Sequence, residues 1–600
     1  MRKISAAALL LVTLLTLTPA AFAERPSAPK LLPESTLAYV RVHNVQDLIT
    51  AFNKTGTGQL FQDESVRPLL GELYASGKAQ YEQIQEAIGL PLEDLLQLPQ
   101  GELCFALVGS ETGPPRGILM VQVGENLEDA EQIVNRIIQQ VENRGGGIDT
   151  EEAEDTFITV LKRRNEGDLA IFDREGLLVF STDVNLSKQV LRVWSGTEKD
   201  FRPLAQNADF TTIIKKCAGT QNERPQLTWF FNPIGMFKQL SRGNLQAQAA
   251  LLFLDPLGLE DVKAAGGGII FSPEEFDAIN HMHILLDSPR KGLLEMIAIS
   301  NGDVTPEKWI PEDAASYMSV HWDFEKTYIE GSKILGVIRE DDDALKNEIQ
   351  RQVSRVLDVD FEADLLAQLD GRVTLFTWVQ PPARVNSACT AIGVKLVDAK
   401  KFKPLFEQAI AKLAERRVEE SYAGATYYRI PARDRVRERI NPDFMRLPEQ
   451  CFAMVDDYLI YCDSKELMEK LILTGKNDVI SLADTEDFKL VLSTIEEQVG
   501  DTSKLGMVAF ARPEESLRSL YEVANSEATK NQLAQVAQNN PALKALDQAL
   551  RNNPLPPFND IVKYFSPTGT LLTSDATGLH YMEFSLKKIE DEENEKDEKK

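Results

Sequence analysis

The stretch Leu32-Pro33-Glu34-Ser35-Thr36-Leu37-Ala38-Tyr39-Val40-Arg41-Val42-His43 decides how this chain is organised. It recurs as Ile310-Pro311-Glu312-Asp313-Ala314-Ala315-Ser316-Tyr317-Met318-Ser319-Val320-His321, displaced by 278 positions. Five further echoes follow in the same order, among them Leu95 to Gly101 before ELCFALV and Leu365 to Gly371 before RVTLFTWV. The spacing far exceeds that of solenoids and propellers, so each copy is expected to be a whole domain with its own core.

We therefore expect two homologous halves, at about residues 32–300 and 308–588, joined by a short linker. Within each half the apolar pattern alternates between strand-like and helix-like periods. ELCFALVG (102–109) and RGILMVQVG (116–124) flank a turn-rich segment and predict a hairpin, while 126–142 carries apolar residues at helical spacing. Strands joined by tight turns are antiparallel, so the predicted class is α+β, with largely antiparallel sheet covered by helices.

Residues 1–23 predict a cleaved secretory signal. Arg2 and Lys3 precede an apolar run, and Ala21-Phe22-Ala23 provides a cleavage motif before Glu24. The run is short for a membrane span, and no later segment is apolar over the roughly 18 residues that a span needs. We therefore expect export to the periplasm, the cell envelope or the medium, with no transmembrane segment in the mature chain.

The chain is strongly acidic, with a formal net charge of −27. This balance argues against nucleic acid as a partner, because its phosphates require clustered cations. The C-terminal residues 589–600, IEDEENEKDEKK, contain one apolar side chain and predict a disordered charged tail.

One local reversal of charge lies between residues 433 and 446. It contains five arginines: Arg433, Arg435, Arg437, Arg439 and Arg446. Alternate residues of an extended segment share a face, so these residues form a candidate anion-binding arm for an acidic polymer or partner. The alternative, which the sequence favours, is a solvated loop that balances the protein's own carboxylates.

Five cysteines in 600 residues do not make a disulfide scaffold, and the odd number leaves at least one unpaired. Cys451 and Cys462 flank Asp456-Asp457 symmetrically, so a two-residue hairpin would place them opposite each other. A disulfide between them is one hypothesis and two free thiols are the other. The first half has Ser181 where the second half has Cys462.

Three further features carry candidate chemistry. His43 and His321 close the first strand of each half, either as duplicated bases or ligands or, as the sequence favours, as groups that cap backbone. His281 and His283 share one face of a strand, as zinc ligands do, but the sequence identifies no third ligand and favours solvent-facing histidines. Gly266-Gly267-Gly268 lacks phosphate-loop spacing and favours a strand that begins in a tight bend.

No motif of a nucleophile elbow, a zinc protease or a dinucleotide fold occurs, so no catalytic residue or cofactor is predicted. We expect a non-catalytic binding or scaffolding protein whose partner is an unknown protein or an envelope polymer. The alternative is a hydrolase of an envelope polymer. Two carboxylates of raised pKa in one cleft would favour the hydrolase, and an exposed apolar patch would favour binding.

Two segments carry a resemblance: DSPRKGLLEMIAISNGDVTPEKWIPEDAASYMSVHWDFEKTY (287–328) and LDGRVTLFTWVQPPARVNSA (369–388). They resemble large, duplicated, exported proteins of unknown function that are typical of planctomycete-like bacteria. The resemblance covers most of the mature chain and implies export and the two-half plan. It implies no catalytic residue, because that family has no established activity.

Overall fold

The fold is α+β, as the sequence predicts. The computed structural model describes residues 25–72, 98–164, 167–219, 224–273, 275–357, 359–413, 416–442, 444–500, 504–527, 529–531 and 541–588. The predicted signal (1–23) and the predicted tail (589–600) lie outside the described residues. Among the helices described, none combines the length and the apolar character needed to cross a membrane.

Residues 36–286 carry the first ten strands. These are β1 Thr36–Val42, β2 Leu103–Val108, β3 Arg116–Gln122, β4 Gly147–Ala153, β5 Thr156–Lys162, β6 Leu169–Arg174, β7 Leu177–Ser181, β8 Leu227–Phe231, β9 Val262–Phe271 and β10 Phe276–Leu286. The α-helices of this part are Ala28–Leu31, Val45–Lys54, Gly56–Gln62, Leu127–Asn143, Val184–Trp194, Ala208–Lys216, Pro233–Leu240, Leu245–Leu251 and Leu293–Met296. The predicted hairpin is β2–β3, and the predicted helix over 126–142 is Leu127–Asn143.

Residues 316–586 carry the other ten strands. These are β11 Ser316–His321, β12 Leu369–Val379, β13 Ala388–Leu396, β14 Val418–Tyr422, β15 Ala425–Ile430, β16 Gln450–Val455, β17 Tyr458–Cys462, β18 Leu505–Ala511, β19 Thr568–Asp575 and β20 Gly578–Leu586. Their α-helices are Phe324–Arg339, Ala344–Val356, Ala399–Leu413, Asp434–Arg437, Lys465–Gly475, Glu486–Val499, Pro513–Asn525, Pro541–Asn552 and Phe558–Val562.

The strands are ordered alike in the two halves. The first half runs β4-β5-β6-β7-β3-β2-β1-β8-β9-β10. The second runs β14-β15-β16-β17-β13-β12-β11-β18-β19-β20. The isolated bridge Pro33–Pro203 recurs as Pro311–Ser481, 278 positions later at both ends. The two halves thus share one topology, while their common descent stays a prediction.

Echoed residues meet in the cores. Tyr39, from the first echo, is 1 % exposed and contacts Phe210 edge-on at 5.4 Å between ring centroids. Tyr317 is likewise 1 % exposed and meets Phe488 at 5.8 Å. Asp209-Phe210 recurs as Asp487-Phe488, again 278 positions later, so residues of two different echoes pack against each other inside each half.

The two halves join along one antiparallel ladder between β10 and β20. Side chains reinforce it: Lys216 pairs with Asp575 at 2.7 Å, and Tyr564 donates to the Asp63 carboxylate at 2.6 Å. One sheet therefore continues through both halves. In the described part of the chain it ends at β4 on one side and at β14 on the other.

Residues 301–308, expected as a linker, belong partly to the second core. Glu307 is 7 % exposed and binds Arg372, which is 4 % exposed, at 2.9 Å between Oε1 and Nε. In the first half the buried Glu102 is held by Arg25 at 2.7 Å and by Arg41 at 2.5 Å. Glu102 follows Gly101 and Arg372 follows Gly371, and these two glycines are equivalent in the repeated sequence. The two halves therefore carry opposite charges at equivalent positions.

The three consecutive glycines do not mark a bend. Gly266, Gly267 and Gly268 lie in the middle of β9, paired on both sides. A Cβ on Gly267 would stand 2.5 Å from the Trp229 indole nitrogen, and one on Gly266 would stand 2.6 Å from Ile213. The expectation of a tight bend was wrong. Glycine is needed there because side chains of a neighbouring strand and a helix approach the backbone.

Candidate functional site

The arginine segment differs from the predicted extended arm. Residues Asp434–Arg437 form a short helix with Arg433 as its extended N-cap residue, so Arg435 and Arg437 lie on a helical turn and not on an extended segment. All four are exposed, and within the described residues only Arg437 makes an ion pair, at 3.6 Å to Glu449. The shared face expected of an extended segment does not follow for a helical turn, which rotates successive residues by 100°, and an anion-binding role of these arginines stays a prediction.

Arg446 does not belong to an anion-binding surface. It is 5 % exposed and donates to the backbone oxygens of Asn386 at 2.6 Å and Asp463 at 2.7 Å. Its Nη2 also pairs with the Asp463 carboxylate. A guanidinium group with these partners ties the loop before β16 to β13 and β17, which is a structural role.

The two cysteines lie where the hairpin predicts. Cys451 in β16 and Cys462 in β17 are directly opposite each other, and Asp456 in the turn has a φ of 50°. Both are free thiols and fully buried. Burial, followed by the neighbouring Cys451 thiol, raises the pKa of Cys462. A thiol kept protonated is a poor nucleophile, so Cys462 is not poised for nucleophilic attack, and a disulfide between the two cysteines stays a prediction.

The histidines of β10 meet a third histidine that sequence reasoning missed. His281 Nδ1 lies 3.3 Å from His580 Nε2 of β20, and His283 is Cα partner of His580 across the junction. Burial lowers the pKa of His281 to about 4, and burial followed by the two neighbouring imidazoles lowers that of His580 to about 4. His281 and His283 are 4 % and 0 % exposed, so the expectation of solvent-facing histidines was wrong.

No metal is assigned to this cluster. Across the described ranges, no group of three or more His, Cys, Asp or Glu side chains is arranged to hold a metal ion. His283 Nε2 instead lies 3.4 Å from the Thr577 hydroxyl. The three imidazoles are therefore components of the junction between the halves.

His43 and His321 occupy equivalent strand ends without shared chemistry. The His321 ring lies 2.6 Å from the backbone oxygen of Asp303, which agrees with a backbone-capping role. His43 is solvent-exposed, and the helix that follows it is capped by Asn44, which accepts from Gln46 and Asp47.

A cavity of about 670 Å³ lies beside the helix Phe324–Arg339. Its carboxylates are Asp323, Glu325, Glu362 and Asp370. Tyr328 donates to Glu362 at 2.8 Å and Lys346 pairs with it at 3.2 Å, and these two contacts, the tyrosine first, lower the pKa of Glu362. A carboxylate held ionised in this way is not poised to act as a general acid.

A second cavity, the outer groove, lies over the outer strands of the first half and has a volume of about 380 Å³. One wall is the helix Leu127–Asn143, and the floor is formed by β5, β6 and β7. The lining residues are Leu127, Ala130, Glu131, Val134, Asn135, Phe157, Thr159, Ile171, Phe172, Asp173 and Leu178. Phe157 stands at the rim with 69 % of its surface exposed, which is unusual for a large aromatic side chain.

Two carboxylates stand among these apolar residues. Burial, followed by the Glu131 carboxylate, raises the pKa of Asp173. Within the described residues neither Asp173 nor Glu131 has an ion-pair partner. The outer groove therefore combines apolar walls with two carboxylates that make no ion pair in the described part of the chain.

The second half fills the corresponding space. Asp173 lies opposite Leu178, whereas the equivalent strand pair sets Met454 opposite Leu459. Thr159 opposite Ile171 is replaced by Tyr428 opposite Phe452. On the helix, the fourth residue is Ala130 in the first half and Phe402 in the second. The outer groove of the first half is thus open because its lining residues are small or acidic. The equivalent space in the second half is filled by large apolar residues.

The outer groove was not predicted, although one difference between the two halves of the sequence indicates it. The predicted helix over 126–142 carries an alanine where the equivalent helix carries a phenylalanine, and a comparison of the two helices finds this difference. No family model, no curated protein and no solved structure matches this chain.

Proposed function

We propose that this chain is an exported, non-catalytic binding or scaffolding protein of the cell envelope or the extracellular space. Export rests on the predicted signal at residues 1–23. The observation that carries the binding function is the outer groove. It is an open cavity with an exposed aromatic rim and with carboxylates that make no ion pair among the described residues, which is the composition of a recognition site.

The continuous sheet suits a scaffold. One sheet of twenty paired strands continues through the described part of both halves. The β10–β20 ladder and the Lys216–Asp575 pair hold the two halves together. Such a platform presents its binding site at one end, on the outermost strands of the first half.

The alternative, a hydrolase of an envelope polymer, has weaker support. Among the described residues, four carboxyl groups have a raised pKa: Asp173, Asp209, Asp277 and Glu514. These four residues belong to four different helices or strands. None of the four carboxyl groups contributes to the raised pKa of another. In the described part of the chain, no cleft thus joins two such carboxyl groups, which was the arrangement that would favour a glycosidase-like pair.

The test is capture of envelope components by purified protein with a photo-crosslinker at Phe157. Wild-type protein is expected to capture a component that the filled variant Ala130→Phe with Asp173→Met does not. The control is Glu407→Gln with Glu497→Gln, which removes two exposed charges far from the groove. Release of soluble fragments from envelope polymer by wild-type protein would support the hydrolase instead. Equal capture by wild-type and filled protein would contradict a role for the groove.

A further inference from the structure

The second half shows which chemistry this space accepts. The helix residue equivalent to Glu131 is Lys403, the fifth residue of Ala399–Leu413. Beneath it, Phe402 and Phe406 pack with Tyr428, Phe452 and Met454, and the Phe406 and Tyr428 rings lie 5.7 Å apart. The second half therefore fills this space with apolar groups of its own chain, while Lys403 is exposed and pairs with Glu407 at 4.0 Å.

The first half has the complementary composition. Leu127, Val134 and Phe157 offer an apolar surface, while Glu131 and Asp173 offer negative charge. A lysine or arginine side chain matches both features, because its methylene stem covers apolar surface and its charged end seeks a carboxylate. The exposed ring of Phe157 adds a surface for a cation–π contact.

The neighbouring edge strand extends this acidic surface. β4 pairs only with β5 among the described strands, and Glu152 lies directly opposite Phe157. Glu152 is exposed and has no ion pair in the described ranges. A chain lying along this rim would meet Glu152, Phe157 and then the groove. A free amine would meet only the groove, so the extended rim favours a peptide.

We propose that the outer groove binds a basic segment of a partner protein, and that one lysine or arginine of that segment occupies the groove. The stem of that side chain lies against Leu127, Val134 and Phe157, and its charge lies between Glu131 and Asp173. This inference rests on the proposed binding function and names the partner's chemistry.

The probe is the peptide acetyl-Val-Lys-Val-Lys-Val-amide, titrated into the full mature protein by calorimetry at two salt concentrations. We expect binding that weakens as salt rises. Glu131→Gln with Asp173→Asn is expected to weaken it about fivefold, since two partly exposed ion pairs are lost. Ala130→Phe, which fills the groove, is expected to abolish it.

Matched controls separate the groove from the general acidity of the chain. Glu407→Gln with Glu497→Gln removes the same charge elsewhere and is expected to bind the peptide as wild type does. Equal weakening in this control would overturn the proposal, as would unchanged binding by Glu131→Gln with Asp173→Asn. Thermal unfolding of each variant tests whether it is folded.

Two further probes identify the ligand. If acetyl-Val-Gln-Val-Gln-Val-amide binds as well as the lysine peptide, the cation is unnecessary and the proposal fails. If 1,5-diaminopentane binds as tightly, with the same dependence on Glu131 and Asp173, the site takes a free amine and not a peptide. If no peptide binds while capture of an envelope component still requires an open groove, this inference fails and the proposed function stands.

Discussion

In each half, a buried charged side chain anchors the segment that precedes the first strand. Glu307 and Arg372 are almost fully buried, and Thr374 donates to the same carboxylate. In the first half the signs are reversed, with Glu102 held by Arg25 and Arg41. Each charge is tolerated inside the protein only because its partner is present, so these pairs position the segments more than they add stability.

Removing one partner should therefore be costly. We expect Glu307→Gln to lower the free energy of unfolding by about 3 kcal/mol, because Arg372 would remain buried without its nearest counter-charge. The measurement is urea unfolding at neutral pH. Asp303→Asn is the control, because Asp303 lies 3.6 Å from Arg372 but is 71 % exposed, and it should cost less than about 1 kcal/mol. Equal losses in the two variants would contradict this account.

At the scale of elements, the two ends of the sheet are protected by charge. β4 carries Asp149, Glu151 and Glu152, and β14 carries Glu419, whereas its Glu420 is paired with Arg429 and Lys465. A strand with a free edge can pair with another molecule, and charged side chains oppose this. The acidic edges thus keep a long sheet from growing end to end.

Neutralising one edge should promote association. We expect Asp149→Asn with Glu152→Gln to form concentration-dependent oligomers, because like charges no longer separate approaching edges. Glu151 is left in place because it pairs with Lys188. Light scattering at several protein concentrations measures the effect. The control Glu407→Gln with Glu497→Gln has the same net charge, and if it associates equally, the edge is not responsible.

For the whole molecule, the junction of the halves is sensitive to acid. His281, His283 and His580 meet there, and Lys216 and Asp575 are the charged groups that act on His283 and His580. Burial lowers the pKa of His281 and His580 to about 4, below the ordinary 6.5. As the pH falls, these two histidines are therefore protonated in the unfolded chain at a higher pH than in the folded protein. This contribution to stability is complete above pH 6.5 and is lost as the pH falls towards 4.

Between pH 7.5 and pH 5, we expect the contribution of His281 to lower the free energy of unfolding by about 2 kcal/mol. The contribution of the partly exposed His580 should be smaller. The Lys216–Asp575 pair persists over this range, because hydrogen bonds from Lys216 and Thr577 outweigh desolvation and hold the pKa of Asp575 well below its usual value. Urea unfolding at both pH values measures the change. His580→Gln should show a smaller fall, and an unchanged fall in that variant would refute a role for the junction.

The sequence by itself determined the α+β class, the β2–β3 and β16–β17 hairpins and the 278-residue echo. These follow from local alternation, turn residues and repetition, which are all readable along the chain. Only the tertiary structure decided that His580 joins His281 and His283, that Arg446 is buried, and that the outer groove is open. Those facts depend on which side chains meet across strands and helices far apart in the sequence, and on whether their volumes fill the space between them.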